Sequence, residues 1–75
     1  MIPVETIIRE YENTLDVARR LQSQLGRLSE IVSSYLGEEV VADICGGNEI
    51  EFRRMKDGFV DADSTMWLED IIHNK

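Results

Sequence analysis

One amphipathic segment of unusual length decides what this chain can fold into. From Pro3 to Leu36, apolar residues recur with the heptad spacing of a long helix that pairs along one seam. Pro3 suits the first helical turn, where its missing N–H costs little, and Gly37 suits the C-cap. The two core positions of the heptad hold Val4, Tyr11, Ala18, Leu25 and Val32, and Ile7, Thr14, Leu21, Leu28 and Tyr35. The spacing predicts one helix over residues 3–36, about 50 Å long at 1.5 Å per residue.

The width of this apolar stripe indicates self-association. Further apolar residues widen it on both sides: Ile8, Leu15, Leu36, Val17 and Ile31. The rest of a 75-residue chain cannot cover both flanks of such a rod, so we expect a homodimer through the long helix. The predicted dimer-interface residues are Val4, Ile7, Tyr11, Ala18, Leu21, Leu25, Leu28 and Val32. The heptad does not choose between parallel and antiparallel pairing, and Gly26 is the candidate position for a kink or a close helix crossing.

The second half of the chain has the alternation of β-strands. We predict an antiparallel meander over residues 38–62, with strands at 40–45, 49–55 and 59–62, and a C-terminal helix at 63–73. A three-residue turn at 46–48 sets Ile44 beside Ile50 and Ala42 beside Phe52, which keeps the apolar side chains on one face. The sequence therefore predicts a single α+β domain, residues 1–75: a long N-terminal helix, a three-stranded meander and a short helix.

Side-chain alternation also predicts the register of the rest of the meander. A three-residue turn at 56–58 places Val60 and Ala62 on the inner face, with Asp61 near Arg53 and Asp63 beside Glu51. Asp63 also suits the N-cap of the last helix, predicted from Ser64 to His73. The predicted buried face of that helix consists of Trp67, Leu68, Ile71 and Ile72.

Acidic residues dominate the second half. The chain has fifteen acidic and eight basic residues, and residues 37–75 hold ten of the acids against four bases, a net charge of −6. Such a surface repels nucleic acid and anionic lipid and attracts a basic partner. The predicted partner-binding residues are Asp43, Glu49, Glu51, Asp61 and Asp63, with Glu38, Glu39, Glu69 and Asp70 extending the field. The register places Asp43 across from Glu51, a like-charge pair that costs stability. The alternative is a solvated face that only maintains solubility.

The sequence favours binding over catalysis. One cysteine excludes an internal disulfide, and Cys45 and His73 lack the neighbours that a nucleophilic site needs. Residues 61–65 resemble the start of a calcium loop, but Met66 and Ile72 stand where the loop requires glycine and glutamate. We expect no enzyme activity, cofactor or metal. No apolar run approaches the roughly 20 residues of a membrane span, and the first residues lack a secretion signal, so a cytoplasmic location is expected.

In character the chain resembles the small acidic host-takeover proteins of lytic phages, which include acidic dimers that imitate DNA towards the bacterial nucleoid protein HU. The shared features are the size, the single Cys45, the helix-then-sheet order and the acidic run from Glu38 to Asp70. The resemblance implies a DNA mimic that occludes the DNA-binding cleft of a basic protein in a bacterial host cell. Arg53 and Arg54 depart from a purely anionic surface.

A second hypothesis explains the apolar stripe of the long helix and gives the acidic residues no role in binding. The protein would be a coiled-coil structural or assembly module that joins a larger complex through hydrophobic contacts, and salt would then affect its binding little. Displacement of a polymerase subunit or sigma factor is a third possibility that charge alone does not separate from the first.

Overall fold

The computed structural model describes residues 1–73 of the chain. It confirms the α+β class and the order of elements: a long helix, a three-stranded antiparallel sheet and a short helix. The elements are α1 (Val4–Leu36), β1 (Val40–Cys45), β2 (Glu49–Lys56), β3 (Phe59–Val60) and α2 (Leu68–Ile72). The strand order is β1-β2-β3, with β2 in the centre.

Helix α1 runs for 33 residues without interruption. The Pro3 carbonyl accepts the first N–H groups of the helix, and Gly37 ends it in the left-handed conformation with φ 75°. The Gly37 N–H donates to the Ser33 carbonyl at 2.9 Å, as a glycine C-cap should. Gly26 does not break the helix. It meets no other part of the described chain, because outside the adjacent helix backbone no atom lies within 4 Å of where its Cβ would be. The suggested kink or close crossing is therefore not found within the protomer.

The register of the first hairpin is confirmed. Ala42 lies opposite Phe52 and Ile44 opposite Ile50, across a turn formed by residues 46–48. Asp43 lies opposite Glu51. A slip by one residue would have mixed the two faces of the sheet, so the apolar pattern was sufficient to fix this pairing.

The second turn differs from the prediction. Met55 pairs with Val60 and Lys56 with Phe59, so the turn contains only Asp57 and Gly58. Both turn residues have positive φ, 54° and 83°, which is the type I′ geometry preferred by two-residue hairpins. The shorter turn reverses the predicted parity: Val60 shares the outer face with Met55 and does not join the core. Strand β3 also ends at Val60, two residues before the predicted end.

The segment after β3 forms a bridge to the sheet where a helix was predicted. Met66 and Phe52 exchange backbone hydrogen bonds of 2.9 and 2.7 Å, and the Arg54 N–H donates to the Ser64 hydroxyl. Residues 64–66 are therefore extended beside β2, and α2 begins only at Leu68. Asp63 does not cap this helix. Instead the Asp70 carboxylate accepts the Trp67 N–H at 2.8 Å.

The buried face of α2 is narrower than predicted. Ile71 is buried, whereas Trp67, Leu68 and Ile72 are exposed. A helix of five residues presents little more than one side chain to the sheet. Met66, which comes before the helix, takes the neighbouring position in the core.

The core lies between the sheet and the last third of α1. Its buried residues are Leu25, Val32, Val40, Ala42, Phe52, Met66 and Ile71, and Leu28, Leu36 and Ile44 pack against them partly buried. Leu25, Leu28 and Val32 were predicted in the dimer seam. The structure assigns all three to the packing of α1 on its own sheet, because β1 docks on the same face of the helix that carries the heptad.

Two serines hold β1 against α1. The Ser33 hydroxyl accepts the Val40 N–H at 2.9 Å and lies 3.0 Å from the Val40 carbonyl oxygen, to which it donates. The Ser29 hydroxyl accepts the Ala42 N–H at 2.8 Å and donates to the Leu25 carbonyl. Helix α1 therefore satisfies backbone groups of β1 that point away from β2 and covers one edge of the sheet.

The protomer is elongated. It measures 54 × 20 × 19 Å, and its radius of gyration is 16.4 Å, against about 11 Å for a compact chain of this length. The first two thirds of α1, residues 4–24, extend beyond the sheet; we call this part the rod. The rest of the described chain, from Leu25 to His73, is called the head. Over residues 1–73, no helix combines the length and apolarity that crossing a bilayer requires.

Candidate functional site

The outer face of the first hairpin brings three of the predicted acidic residues together. Asp43 lies opposite Glu51, and Glu49 lies opposite Cys45 in the next pair along the ladder. Strand alternation directs these side chains away from Ala42 and Phe52, so they share the face that does not contact α1. Asp43 and Glu49 are exposed and Glu51 is half-buried. Three carboxylates are thus held on one short, hydrogen-bonded ribbon.

Arg53 neutralises one of these carboxylates. Its guanidinium lies 3.2 Å from one oxygen of Glu51 and 3.3 Å from the other. Val41, Asp43 and Val60 complete a small cleft of about 90 Å³ around this pair. Asp61 was predicted to lie near Arg53. In the structure, Arg53 instead pairs with Glu51, which belongs to the same strand.

Asp61 and Asp63 belong to the loop after β3. The Asp61 N–H donates to the Arg54 carbonyl at 2.8 Å, and the Asp61 carboxylate accepts the Asp63 N–H at 3.1 Å. Because residues 64–66 already lie beside Phe52 to Arg54, Asp63 is not the neighbour of Glu51 that the longer β3 predicted. The two aspartates therefore lie beside the sheet and do not add to the group of carboxylates on its outer face.

The other predicted acidic residues are spread around the head. Glu38 forms an ion pair with Arg54, and Asp70 is engaged at the start of α2. Glu39 and Glu69 are exposed. The nine predicted residues therefore form one cluster on the hairpin, two loop aspartates and four outlying positions, of which Glu38 is locally compensated. The net charge of the head remains strongly negative, but it is less uniform than the sequence suggested.

The rod carries an uncovered apolar face. Its members are Val4, Ile7, Ile8, Tyr11, Leu15, Ala18 and Leu21, which we call the rod stripe, and all are exposed in the protomer. Val4 and Tyr11 are 65% and 68% exposed. Five of the predicted interface residues are in the rod stripe: Val4, Ile7, Tyr11, Ala18 and Leu21. The structure thus divides the predicted seam into an uncovered part and a part used by the core.

Further apolar side chains are exposed at two places on the head. Phe59, which is 77% exposed, lies beside the second turn. Leu68, which is 62% exposed, lines a groove with Ile50 and Trp67, together with Glu49 and Glu69. The sequence did not predict this groove, because Trp67 and Leu68 were expected to be buried on a longer helix. The Asp57-Gly58 turn was the available signal that Val60 leaves the inner face, since a two-residue turn changes the face of every residue that follows.

The residues with catalytic or metal-binding potential are dispersed in the described structure. Cys45 is half-buried near the hairpin tip, and His73 lines a groove with Arg54, Met66, Glu69 and Asp70. Within residues 1–73, no group of three or more His, Cys, Asp or Glu side chains is arranged to hold a metal ion. The described residues thus expose the acidic hairpin, the apolar rod stripe and the apolar side chains of the head.

No family model matches the chain, and no curated protein or solved structure is detectably similar to it.

Proposed function

We propose that this protein is a non-catalytic binding protein that acts as a homodimer and inhibits a basic DNA-binding protein. The rods join two copies, and each head presents carboxylates to a surface that normally binds DNA phosphates, with an HU-like nucleoid protein as the first candidate. The observation that carries the proposal is the division of the chain into an apolar rod and an acidic head. The rod exposes an apolar stripe, and the head exposes three carboxylates on the outer face of its first hairpin.

The accessible surface supports the dimer. The chain exposes 6108 Å² for a mass of 8.6 kDa. A compact monomer of that mass exposes about 4,700 Å², so roughly 1,400 Å² is in excess. A stable interface buries about 800 Å² per partner. The excess is thus large enough for one interface, and the rod stripe is the apolar surface available for it.

The arrangement of the acidic residues supports a basic partner. Carboxylates two residues apart on a strand lie roughly 7 Å apart, and those on adjacent strands lie closer. The opposition of Asp43 and Glu51 costs about 0.2–1 kcal/mol of folding free energy, which selection for stability alone would remove. A protein that imitates DNA must concentrate negative charge on a rigid surface, because DNA carries one charge per about 1.7 Å of its axis.

The test is binding to purified HU across a salt series. We expect the double variant Asp43→Asn, Glu49→Gln to lose at least about tenfold in affinity, roughly 1.4 kcal/mol. The matched control is Asp16→Asn, Glu30→Gln, which removes the same two charges from exposed positions of α1 and should lose less than about threefold. Duplex DNA should compete with the protein for HU. Equal losses in the two variants, or binding that ignores both salt and DNA, would refute the mimic.

The assembly module is the second candidate, and the exposed apolar side chains on the head favour it. A hydrophobic partner would cover Phe59 and Leu68 and would remain bound at high salt. Phe59→Ser should then abolish complex formation, whereas Asp43→Asn should leave it intact. If the protein is a DNA mimic, Asp43→Asn should weaken binding more than Phe59→Ser does. The binding curves of these two variants therefore separate the two candidate functions.

A further inference from the structure

We infer that the two rods pair antiparallel, with residue i of one protomer facing residue 25 − i of its partner. This inference rests on the proposed dimer and specifies its geometry. The occupant of the rod stripe is then a second copy of the same stripe. Three independent features support the antiparallel pair: the position of the sheet, the match of side-chain sizes and the distribution of charge along the rod.

The position of the sheet limits how two helices can meet. Ser33 bonds to Val40 and Ser29 to Ala42, so β1 runs back along α1 by about one helical turn for every two strand residues. Two strand residues further along β1, Ile44 therefore lies at the level of Leu25. Both residues belong to the core, where Ile44 packs partly buried against the buried cluster. From Leu25 onward the heptad face is therefore occupied by the sheet, and the uncovered seam ends at Leu21.

A parallel pair conflicts with this position. Paired helices lie about 8–10 Å apart, and a sheet needs a similar distance above the helix it covers. In a parallel arrangement both sheets would lie at the same end of the pair. Each sheet covers the helix face that would have to contact the other helix, so the two sheets would overlap. An antiparallel arrangement places the heads at opposite ends of the pair. At the level of Glu30 they are then about 50 Å apart, far beyond a Debye length of about 8 Å.

The side-chain sizes are complementary in the proposed register. Val4 faces Leu21 of the partner subunit, Ile7 faces Ala18 of the partner subunit, and Tyr11 faces Thr14 of the partner subunit. Large residues thus meet small ones in the two inner layers, which fills the seam evenly. A parallel in-register pair would stack Thr14 on its own copy and Ala18 on its own copy in consecutive layers, leaving a gap.

Thr14 is compatible with this seam despite its hydroxyl. The Thr14 Oγ1 donates to the Glu10 carbonyl at 2.7 Å within the helix. Its polar group therefore has a partner before the rods associate, and burying it beside an aromatic ring leaves no unpaired donor. The polar interruption of the heptad is thus accommodated in the layer next to the two-fold axis.

The charges of the rod favour the same direction. Residues 4–12 carry Glu5, Arg9, Glu10 and Glu12, a net charge of −2, and residues 13–21 carry Asp16, Arg19 and Arg20, a net charge of +1. The antiparallel pair sets each acidic half beside a basic half. A parallel pair would set like beside like and would also align the two helix dipoles unfavourably.

The register has a consequence for the N-terminus. Met1 and Ile2 are exposed in the protomer, and in the pair they reach the level of residues 23 and 24 of the other rod. Ile50 pairs with Ile44, which lies near the level of Leu25, and the Ile50 side chain is exposed on the inner face of the sheet. The first residues of one copy thus cover an apolar side chain of the other head.

Disulfide cross-linking tests the register. In a Cys45→Ser background, the single variants Ile7→Cys and Ala18→Cys are prepared separately and then mixed in a glutathione redox buffer. We expect a covalent dimer only in the mixture, because position 7 faces position 18 and not its own copy. Val4→Cys with Leu21→Cys repeats the test in a second layer, should one of the first variants fail to fold.

The outcomes separate this inference from the proposed function. Cross-linking of each variant with itself would show a parallel pair and overturn the register, as would an absence of cross-links in both layers for a protein that sediments as a dimer. A monomer by sedimentation would overturn the register together with the dimer. Correct cross-links combined with no affinity for HU would leave the register standing and remove only the DNA-mimic proposal.

Discussion

Two glycines, Gly26 within α1 and Gly37 at its C-cap, affect the stability of the helix in opposite ways. Gly37 adopts φ 75°, where a side chain is strained, and its N–H closes the last turn of the helix. Gly26 is helical and exposed, with open space where a Cβ would lie. The first glycine is required by the backbone, whereas the second only weakens the helix.

Alanine at these two positions should therefore change stability in opposite directions. We expect Gly26→Ala to raise the free energy of unfolding by about 1 kcal/mol, because alanine loses less backbone entropy in a helix. We expect Gly37→Ala to lower it by about 1–2 kcal/mol, the cost of a left-handed conformation for an L-residue. Urea unfolding at one fixed protein concentration measures both changes. A shift of the same sign in the two variants would contradict this assignment.

The serine at the helix–sheet junction gives a second prediction at this scale. Ser29→Ala removes the acceptor of the Ala42 N–H, which then remains unpaired beside the core. We expect a loss of about 1–3 kcal/mol, the usual cost of an unsatisfied backbone donor. Ser34→Ala is the control, since Ser34 is exposed on the same helix and should change stability by less than about 0.5 kcal/mol.

At the scale of elements, the acidic hairpin combines a folding cost with the proposed function. Asp43 and Glu51 are directly opposed, and Arg53 engages only Glu51. If the surface is used for binding, a change that relieves the repulsion should improve folding and impair recognition. If it only maintains solubility, the same change should improve folding with no other effect.

Asp43→Asn separates these two interpretations. The amide oxygen can still accept the Ile44 N–H, so the local backbone contact is kept. We expect a gain of about 0.2–1 kcal/mol in stability together with weaker binding to HU. Thermal unfolding and a binding titration on the same preparation measure the two effects. Increased stability with unchanged affinity would favour the solubility interpretation.

The elements also show how far the sequence could predict the fold. The pairing of Ala42 with Phe52 followed from alternation, because both faces of the hairpin are marked by their side chains. The bridge between Phe52 and Met66 did not follow, since residues 63–66 carry no strand pattern and their pairing depends on tertiary contact. The helix predicted from Ser64 was lost to that bridge, and with it the burial of Trp67.

The candidate surfaces were predictable to a similar extent. The heptad located the apolar face of α1 in full, but it could not show where β1 would dock. That position depends on Ser29 and Ser33, which are unremarkable polar residues in the sequence. Leu25 and Val32 therefore changed from predicted interface residues to core residues. The acidic hairpin was predicted with its register, whereas the ion pair between Glu38 and Arg54 depends on the fold of the loop after Gly37.

At the scale of the whole molecule, the rod explains the elongated shape. A helix that projects with an apolar face into water gains stability when that face is covered, since packing of the amphipathic face contributes most of the stability of helices in proteins. In the proposed dimer, the rods form a spacer between two acidic heads. Two heads on one rigid spacer can engage two sites of a partner at once, which raises avidity when the spacing matches.

One pair of isoleucines on α1 provides a matched test of the rod stripe. Ile7 and Ile31 are 58% and 56% exposed, but only Ile7 belongs to the rod stripe. Ile7→Asp should prevent association, because it would place a carboxylate in the apolar seam. Ile31→Asp makes the same chemical change outside the seam and should leave association intact.

Sedimentation equilibrium of the wild type and these two variants tests the central claim, that the rod joins two copies, most directly. We predict a mass of about 17 kDa, twice the 8.6 kDa of one chain, for the wild type and for Ile31→Asp. We predict 8.6 kDa for Ile7→Asp. A monomeric wild type at micromolar concentration, or equal masses for the two variants, would contradict the account.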